Sequence, residues 1–95
     1  MRCHMAHIEI YTTPFCPFCI RAKRLLDQEQ LRYEETDVSA SRELRNKMTA
    51  RAEGRTSVPQ IFIDDIPIGG CDELMKLHRL GQLERLVGRS SSTAS

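Results

Sequence analysis

Apolar and polar residues alternate early in the chain and then change period. Across residues 7–12, Ile8 and Ile10 fall on one side and Glu9 and Tyr11 on the other, the two-residue repeat of a strand. The repeat then lengthens. Phe18, Ala22, Leu25 and Leu26 stand at i, i+4, i+7 and i+8. A helix over about residues 16–30 would turn that stripe towards a sheet and leave Arg21, Lys23, Arg24 and Asp27 in water. A second strand is expected at about residues 32–38, which completes a βαβ unit. Its crossover should be right-handed, leaving the two strands parallel.

The second half reads differently. Ser39 or Ser41 can cap a helix reaching about residue 52, with Leu44, Met48 and Ala52 on one face and Gly54 as its stop. Residues 60–63 form a strand, Asp64 and Asp65 a hairpin turn, and residues 66–68 the antiparallel return. Gly69 and Gly70 end that strand, and Asp72 with Glu73 opens a third helix whose stripe is Leu74, Leu77 and Leu80. Gly81 stops it, and a short last helix holds Leu83, Leu86 and Val87. The order βαβαββα plus a short terminal helix implies an α/β domain, a four-stranded mixed sheet flanked by helices. Its expected span is residues 7–88. Residues 1–6 show no period and read as an extension, and the serine-rich residues 89–95 have nothing to bury and read as a disordered tail.

Composition narrows the function classes. A chain of 95 residues is one small domain, and 14 basic against 13 acidic residues leave no field that would point to nucleic acid. No run approaches the roughly 18 apolar residues of a membrane span. Four cysteines beside a plausible apolar core suit a reducing cytosol better than a disulfide-dense scaffold, so the expected location is cytoplasmic.

Two of those cysteines carry the chemistry. Tyr11, Thr12, Thr13, Pro14, Phe15, Cys16, Pro17, Phe18 and Cys19 run from a strand end into a first helical turn. Side chains three apart on a helix are neighbours, about 5–6 Å between Cβ atoms. A small adjustment brings such a pair within disulfide range. Unpaired N–H groups and the positive end of the helix dipole favour an anion at the first turn, which predicts Cys16 as the attacking thiolate. Cys19, one turn further in, fits the resolving thiol. Pro17 suits an early helical position, where its missing N–H costs nothing. Zinc would need a second ligand pair, and the chain offers only the separated Cys3, His4, His7, Cys71 and His78, so no metal is expected. A purely structural disulfide over two intervening residues would be a weak staple.

Three motifs taken together, Cys16-Pro17-Phe18-Cys19 after a Tyr-Thr strand end, Ser57-Val58-Pro59, and Gly69-Gly70-Cys71-Asp72, resemble those of the dithiol glutaredoxins, of thioredoxin-like fold. The resemblance covers roughly residues 7–87. It implies a glutathione-dependent thiol–disulfide oxidoreductase that reduces protein disulfides and glutathione mixed disulfides. Glutathione is the reducing co-substrate and no cofactor is tightly bound. Disulfide-containing or glutathionylated proteins are the partners, and the expected state is a monomer. The resemblance further implies a cis peptide before Pro59 that offers the Val58 backbone to glutathione as a short added strand. Ser57, Gly70, Cys71 and Asp72 border the same site, with Asp72 at the γ-glutamyl end near a helix N-terminus. Phe18 stands where the family often has tyrosine and keeps the apolar wall. Thr13 stands where many members have lysine, so the glycyl carboxylate needs another cation, for which Arg55 is the candidate; Tyr11 is a further candidate neighbour. Two other readings of the motif are a thioredoxin-like protein reduced by a flavoprotein reductase and a glutathione-ligated iron–sulfur carrier. Cys19 and Pro17 argue against the carrier, which resembles a C-G-F-S motif.

Overall fold

The computed structural model describes residues 6–87. In chain order the elements are β1 (Ile8–Thr12), α1 (Pro17–Gln28), β2 (Glu34–Asp37), α2 (Arg42–Arg51), β3 (Gln60–Ile63), β4 (Ile66–Gly69), α3 (Cys71–Arg79) and α4 (Gln82–Leu86). The strands form one sheet in the order β2-β1-β3-β4. β1 and β2 run parallel, with Tyr11 opposite Thr36, whereas β1–β3 and β3–β4 are antiparallel. This is the mixed sheet of a thioredoxin-like fold.

Alternation along the central strands builds a core on both faces. Ile8 and Ile10 of β1 and Ile61 and Ile63 of β3 meet Ala22, Leu25 and Leu26 of α1 and Leu74 of α3. On the other face Tyr11, Phe62 and Val38 meet Met48 and Ala52 beneath α2. The edge strand β2 is mostly exposed and shorter than the expected 32–38. Only Val38, just beyond it, is buried.

Local chemistry sets the element ends. Ser41, not Ser39, caps α2, its hydroxyl accepting the Leu44 N–H at 3.1 Å. Asp64 and Asp65 adopt φ of 51° and 69°, the pair of positive values that matches a two-residue hairpin to the twist of its strands. The His7 carbonyl accepts the Asp64 N–H at 2.8 Å, and the Asp64 carboxylate accepts the His7 N–H at 2.9 Å.

Several expected positions move. Phe18 leaves the buried stripe of α1 and is 51% exposed; Cys19 takes its place, fully buried with Ala22, Leu25 and Leu26. On α3 the buried residues are Cys71 and Leu74, while Leu80 is exposed because the helix has ended before it. Leu86 of α4 is likewise exposed, where Leu83 and Val87 are buried. Lys23 does not point freely to water but folds back to Glu35 of β2 at 2.8 Å. Ala6, assigned above to the extension, packs against the core and donates its N–H to the Val87 carbonyl at 3.1 Å. The remaining extension, residues 1–5, and the tail from residue 88 lie outside the described residues.

Candidate active site

The first helical turn is assembled around Cys16. Its backbone is extended (φ −102°, ψ 112°), so it is the N-cap of α1 and not its first residue, and Pro17 occupies the first helical position. The Cys16 sulfur accepts the Cys19 N–H at 3.2 Å, satisfying one of the donors a helix start leaves unpaired. On its other side the Cys16 thiol lies 3.7 Å from the Val58 carbonyl. The peptide between Val58 and Pro59 is cis.

Cys19 differs sharply from its partner. Its thiol has no exposed surface, and burial, followed by its hydrogen bond to Cys16, pushes it up to about 12. It is therefore a neutral thiol at rest. The half-buried Cys16 is the sulfur that an incoming disulfide can reach.

A groove of about 240 Å³ opens at Val58, whose carbonyl lies 3.7 Å from the Cys16 sulfur. Phe18 lines it, as do Ser57, Val58 and Pro59 of the cis-proline loop. Gly70, Cys71 and Asp72, at the start of α3, close the far end together with Arg55 and Glu73. The seven residues expected to bind glutathione thus lie around one depression, and the Arg55 candidate joins them. Tyr11 does not. Its side chain is buried on the α2 side of the sheet, where its hydroxyl accepts a hydrogen bond from Arg51 at 2.8 Å and its ring meets Phe62 edge-on.

Two glycines allow the close approaches that shape the groove. Gly69 has φ of +118°, and a Cβ there would come within 2.8 Å of the Glu73 side chain. At Gly70 a Cβ would sit 3.2 Å from the Pro59 carbonyl, so the α3 start and the proline loop meet backbone to backbone.

Glu73 and Gln60 belong to the site although the sequence reading passed over them. Glu73 Oε1 accepts the Gly70 N–H at 2.8 Å, and Glu73 Oε2 pairs with Arg55 at 3.3 Å. Those contacts, the Gly70 N–H first, hold its carboxyl below the ordinary carboxylate value. The signal available was its spacing, three residues after the N-cap of α3. Gln60 is buried behind the proline and donates to the Ser57 carbonyl at 3.0 Å and the Ser57 hydroxyl at 3.3 Å. It fixes the loop that carries Val58, and only its place after Pro59 hinted at this.

Cys71 sits at the first position of α3 but only 4% of its surface is exposed. Burial, the largest influence on it, pushes its thiol up despite the nearby charge of Arg21. Elsewhere, His7, Glu9 and Glu34 bring three ligand atoms within 4.8 Å. Both Glu9 oxygens, however, are already held by Arg51, at 2.8 and 3.1 Å.

A Cys-x-x-Cys pair at a helix start, facing a cis-proline loop on a thioredoxin-like sheet, defines a thiol–disulfide oxidoreductase. The comparisons name the family. Residues 8–68 match the glutaredoxin family model. A probable glutaredoxin of Synechocystis sp. is 47% identical over 89 residues, 94% of this chain and 82% of that one. The solution structure of a glutaredoxin from Brucella melitensis superposes with a TM-score of 0.79 at 45% identity, over 90% of this chain and 91% of that one. A buckwheat glutaredoxin–glutathione complex superposes with a TM-score of 0.77 at 30% identity, over 86% of this chain and 76% of that one. This chain belongs to the glutaredoxin family and is a glutathione-dependent thiol–disulfide oxidoreductase.

Proposed function

We propose that Cys16 is the nucleophile, that Cys19 is the resolving thiol, and that glutathione lies in the groove between Phe18, the Ser57–Pro59 loop and the start of α3. The observation that carries this reading is the Cys16 sulfur 3.7 Å from the carbonyl of Val58, a residue that lines that groove. The Val58 backbone offers strand-like hydrogen bonds to the cysteine part of glutathione. The N-terminus of α3 at Asp72 receives the γ-glutamyl carboxylate. Arg55 receives the glycyl carboxylate, in competition with Glu73. A relative crystallised with glutathione, the buckwheat protein, shares the fold that builds this groove.

Two routes follow with balanced electrons. In the monothiol route Cys16 thiolate attacks the glutathione sulfur of a glutathionylated protein, the protein thiolate leaves, and a second glutathione thiolate releases Cys16 as glutathione disulfide forms. In the dithiol route Cys16 opens a protein disulfide to give a mixed disulfide, and Cys19 then attacks the Cys16 sulfur. The reduced protein leaves, and two glutathione molecules reduce the resulting Cys16–Cys19 disulfide. The chain works in this reading as a cytosolic monomer on disulfide-containing or glutathionylated proteins, with no tightly bound cofactor. Among the described residues no helix is long and apolar enough to cross a membrane.

The test is turnover of a glutathionylated protein with glutathione and glutathione reductase as the electron source. In parallel, thioredoxin reductase is offered alone. Turnover in the first arm only is expected. Turnover in the second arm alone would overturn the assignment of the groove to glutathione.

A further inference from the structure

One helical turn beyond Cys19 starts a chain of hydrogen bonds that the reaction as described does not use. Thr12, the buried last residue of β1, donates its hydroxyl to Glu35 Oε2 at 2.7 Å. The same oxygen of Glu35, on β2, accepts from Lys23 Nζ at 2.8 Å. Lys23 is four residues after Cys19 on α1, hence one turn along the same face. A lysine in that position usually extends into water. Here the sheet edge draws it back under the helix, with only 29% of its side chain exposed.

We propose that Lys23, anchored by Glu35 and Thr12 one helical turn beyond Cys19, is a positioning residue that promotes the attack of Cys19 on the Cys16 mixed disulfide. The proposal rests on Cys19 being the resolving thiol. In that step the Cys19 thiol gives its proton to solvent, a Cys16–Cys19 bond forms, the bond from Cys16 to the substrate sulfur breaks, and the substrate leaves as a thiolate. The demand on the protein is to ionise a thiol that has no exposed surface.

The charges facing that thiol are few. Burial, the Cys16 hydrogen bond and the Cys16 charge all oppose its ionisation, while the Thr13 backbone and the charge of Lys23 favour it. Once Cys16 is tied up in a mixed disulfide it carries no charge and has no thiol proton to donate. Lys23 then remains as the favourable side-chain charge. The groups facing Lys23 are Glu35 and Tyr33 from the β2 side, Thr12 from β1 and Cys19 from its own helix. Asp27, one turn further along α1, faces Tyr33. The hydrogen bond from Lys23 to Glu35 raises the ammonium pKa above its ordinary value, so it is charged at neutral pH. Glu35 partly offsets the positive charge but fixes where it sits.

The experiment isolates the step. Glutathione is attached to Cys16 as a mixed disulfide, and its release by Cys19 is followed by acid quench and mass spectrometry across neutral to alkaline pH. In Lys23→Gln, which keeps a donor for Glu35 but removes the charge, the release profile should move to higher pH. That gives about threefold slower release at neutral pH, with the gap to wild type narrowing as pH rises. Lys23→Arg should restore the wild-type profile. A Lys23→Gln profile that does not move, or that is lowered equally at every pH, would overturn the proposal and leave Lys23 as a tie between α1 and β2. Release from the Cys19→Ser adduct at the wild-type rate would instead overturn the resolving role of Cys19, a separate failure.

Discussion

The Cys16 sulfur accepts the backbone N–H of Cys19 at 3.2 Å, so the proposed resolving residue also holds the proposed nucleophile in place. Only the Cys16 side of the pair is open to substrate, because Cys19 is fully buried. The two thiols are thus inequivalent before any substrate arrives. Cys16→Ser should abolish both routes. Cys19→Ser should keep removal of glutathione from proteins and lose reduction of protein disulfides, since glutathione can resolve the Cys16 adduct in its place. Both variants can be run in a glutathione reductase-coupled assay. Full deglutathionylation by Cys16→Ser would contradict the assigned order of attack.

In the proposed reading Arg55 recognises substrate and performs no chemistry. It lines the groove and is paired with Glu73 at 3.3 Å, with both side chains about half exposed. Replacing it by methionine keeps the stem and removes the charge. The KM for glutathione should rise about tenfold, with kcat within about twofold, a loss of roughly 1.4 kcal/mol. An unchanged KM would show that the glycyl carboxylate is bound elsewhere.

Legibility in the sequence followed the range of the interaction that decides each feature. The strands of residues 8–12 and 60–63, the cap at Ser41 and the turn at Asp64 and Asp65 depend on near neighbours, and pattern alone locates them. The seven residues around the groove were readable because three separate motifs carry them. Phe18 was misplaced because helical period leaves two adjacent stripes open at the first turn, and the packing of Cys19 beneath the sheet chooses between them. Lys23 and Glu73 act through partners 12 and 18 residues away, respectively. Lysine and glutamate there read as ordinary surface charge, and only the fold brings Glu35 under Lys23 and Arg55 over Glu73.

On the opposite face of the sheet from α1, stability depends on Arg51. Its guanidinium holds both oxygens of Glu9, reaches the Tyr11 hydroxyl at 2.8 Å and lies 4.2 Å from the centre of the Phe62 ring. The hydrogen bond from Arg51 is the main cause that keeps the Glu9 carboxyl below its ordinary 4.5. A carboxylate lowered in the folded state contributes stability above about its unfolded pKa, and that contribution is lost as pH falls through the folded value. Arg51→Met should cost about 1–3 kcal/mol at neutral pH by removing both hydrogen bonds to the Glu9 carboxylate. It should also flatten the loss of stability expected of the wild type as pH drops below 4.5. Urea denaturation at neutral and acid pH measures both. Equal stability of variant and wild type at neutral pH would remove Arg51 from the account.

Cys71 has the position of a reactive thiol and the surroundings of a packed one. Like Cys16 it stands at a helix start, and it borders the groove where glutathione is proposed to lie. Unlike Cys16 it is 4% exposed, sits in the α1 and α3 core with Leu74, and has its thiol pushed up by burial. Oxidation requires a thiolate and access, and this site withholds both. Serine is nearly isosteric and leaves the backbone at Gly70 and Asp72 in place. Cys71→Ser should therefore keep the glutathione-dependent rate within about threefold, no more than roughly 0.65 kcal/mol. After brief treatment with peroxide and glutathione, mass spectrometry of the wild type should find the Cys16–Cys19 disulfide with Cys71 still free. A glutathione adduct or an intermolecular disulfide at Cys71, absent from Cys71→Ser, would show that the start of α3 opens enough to expose a third working thiol.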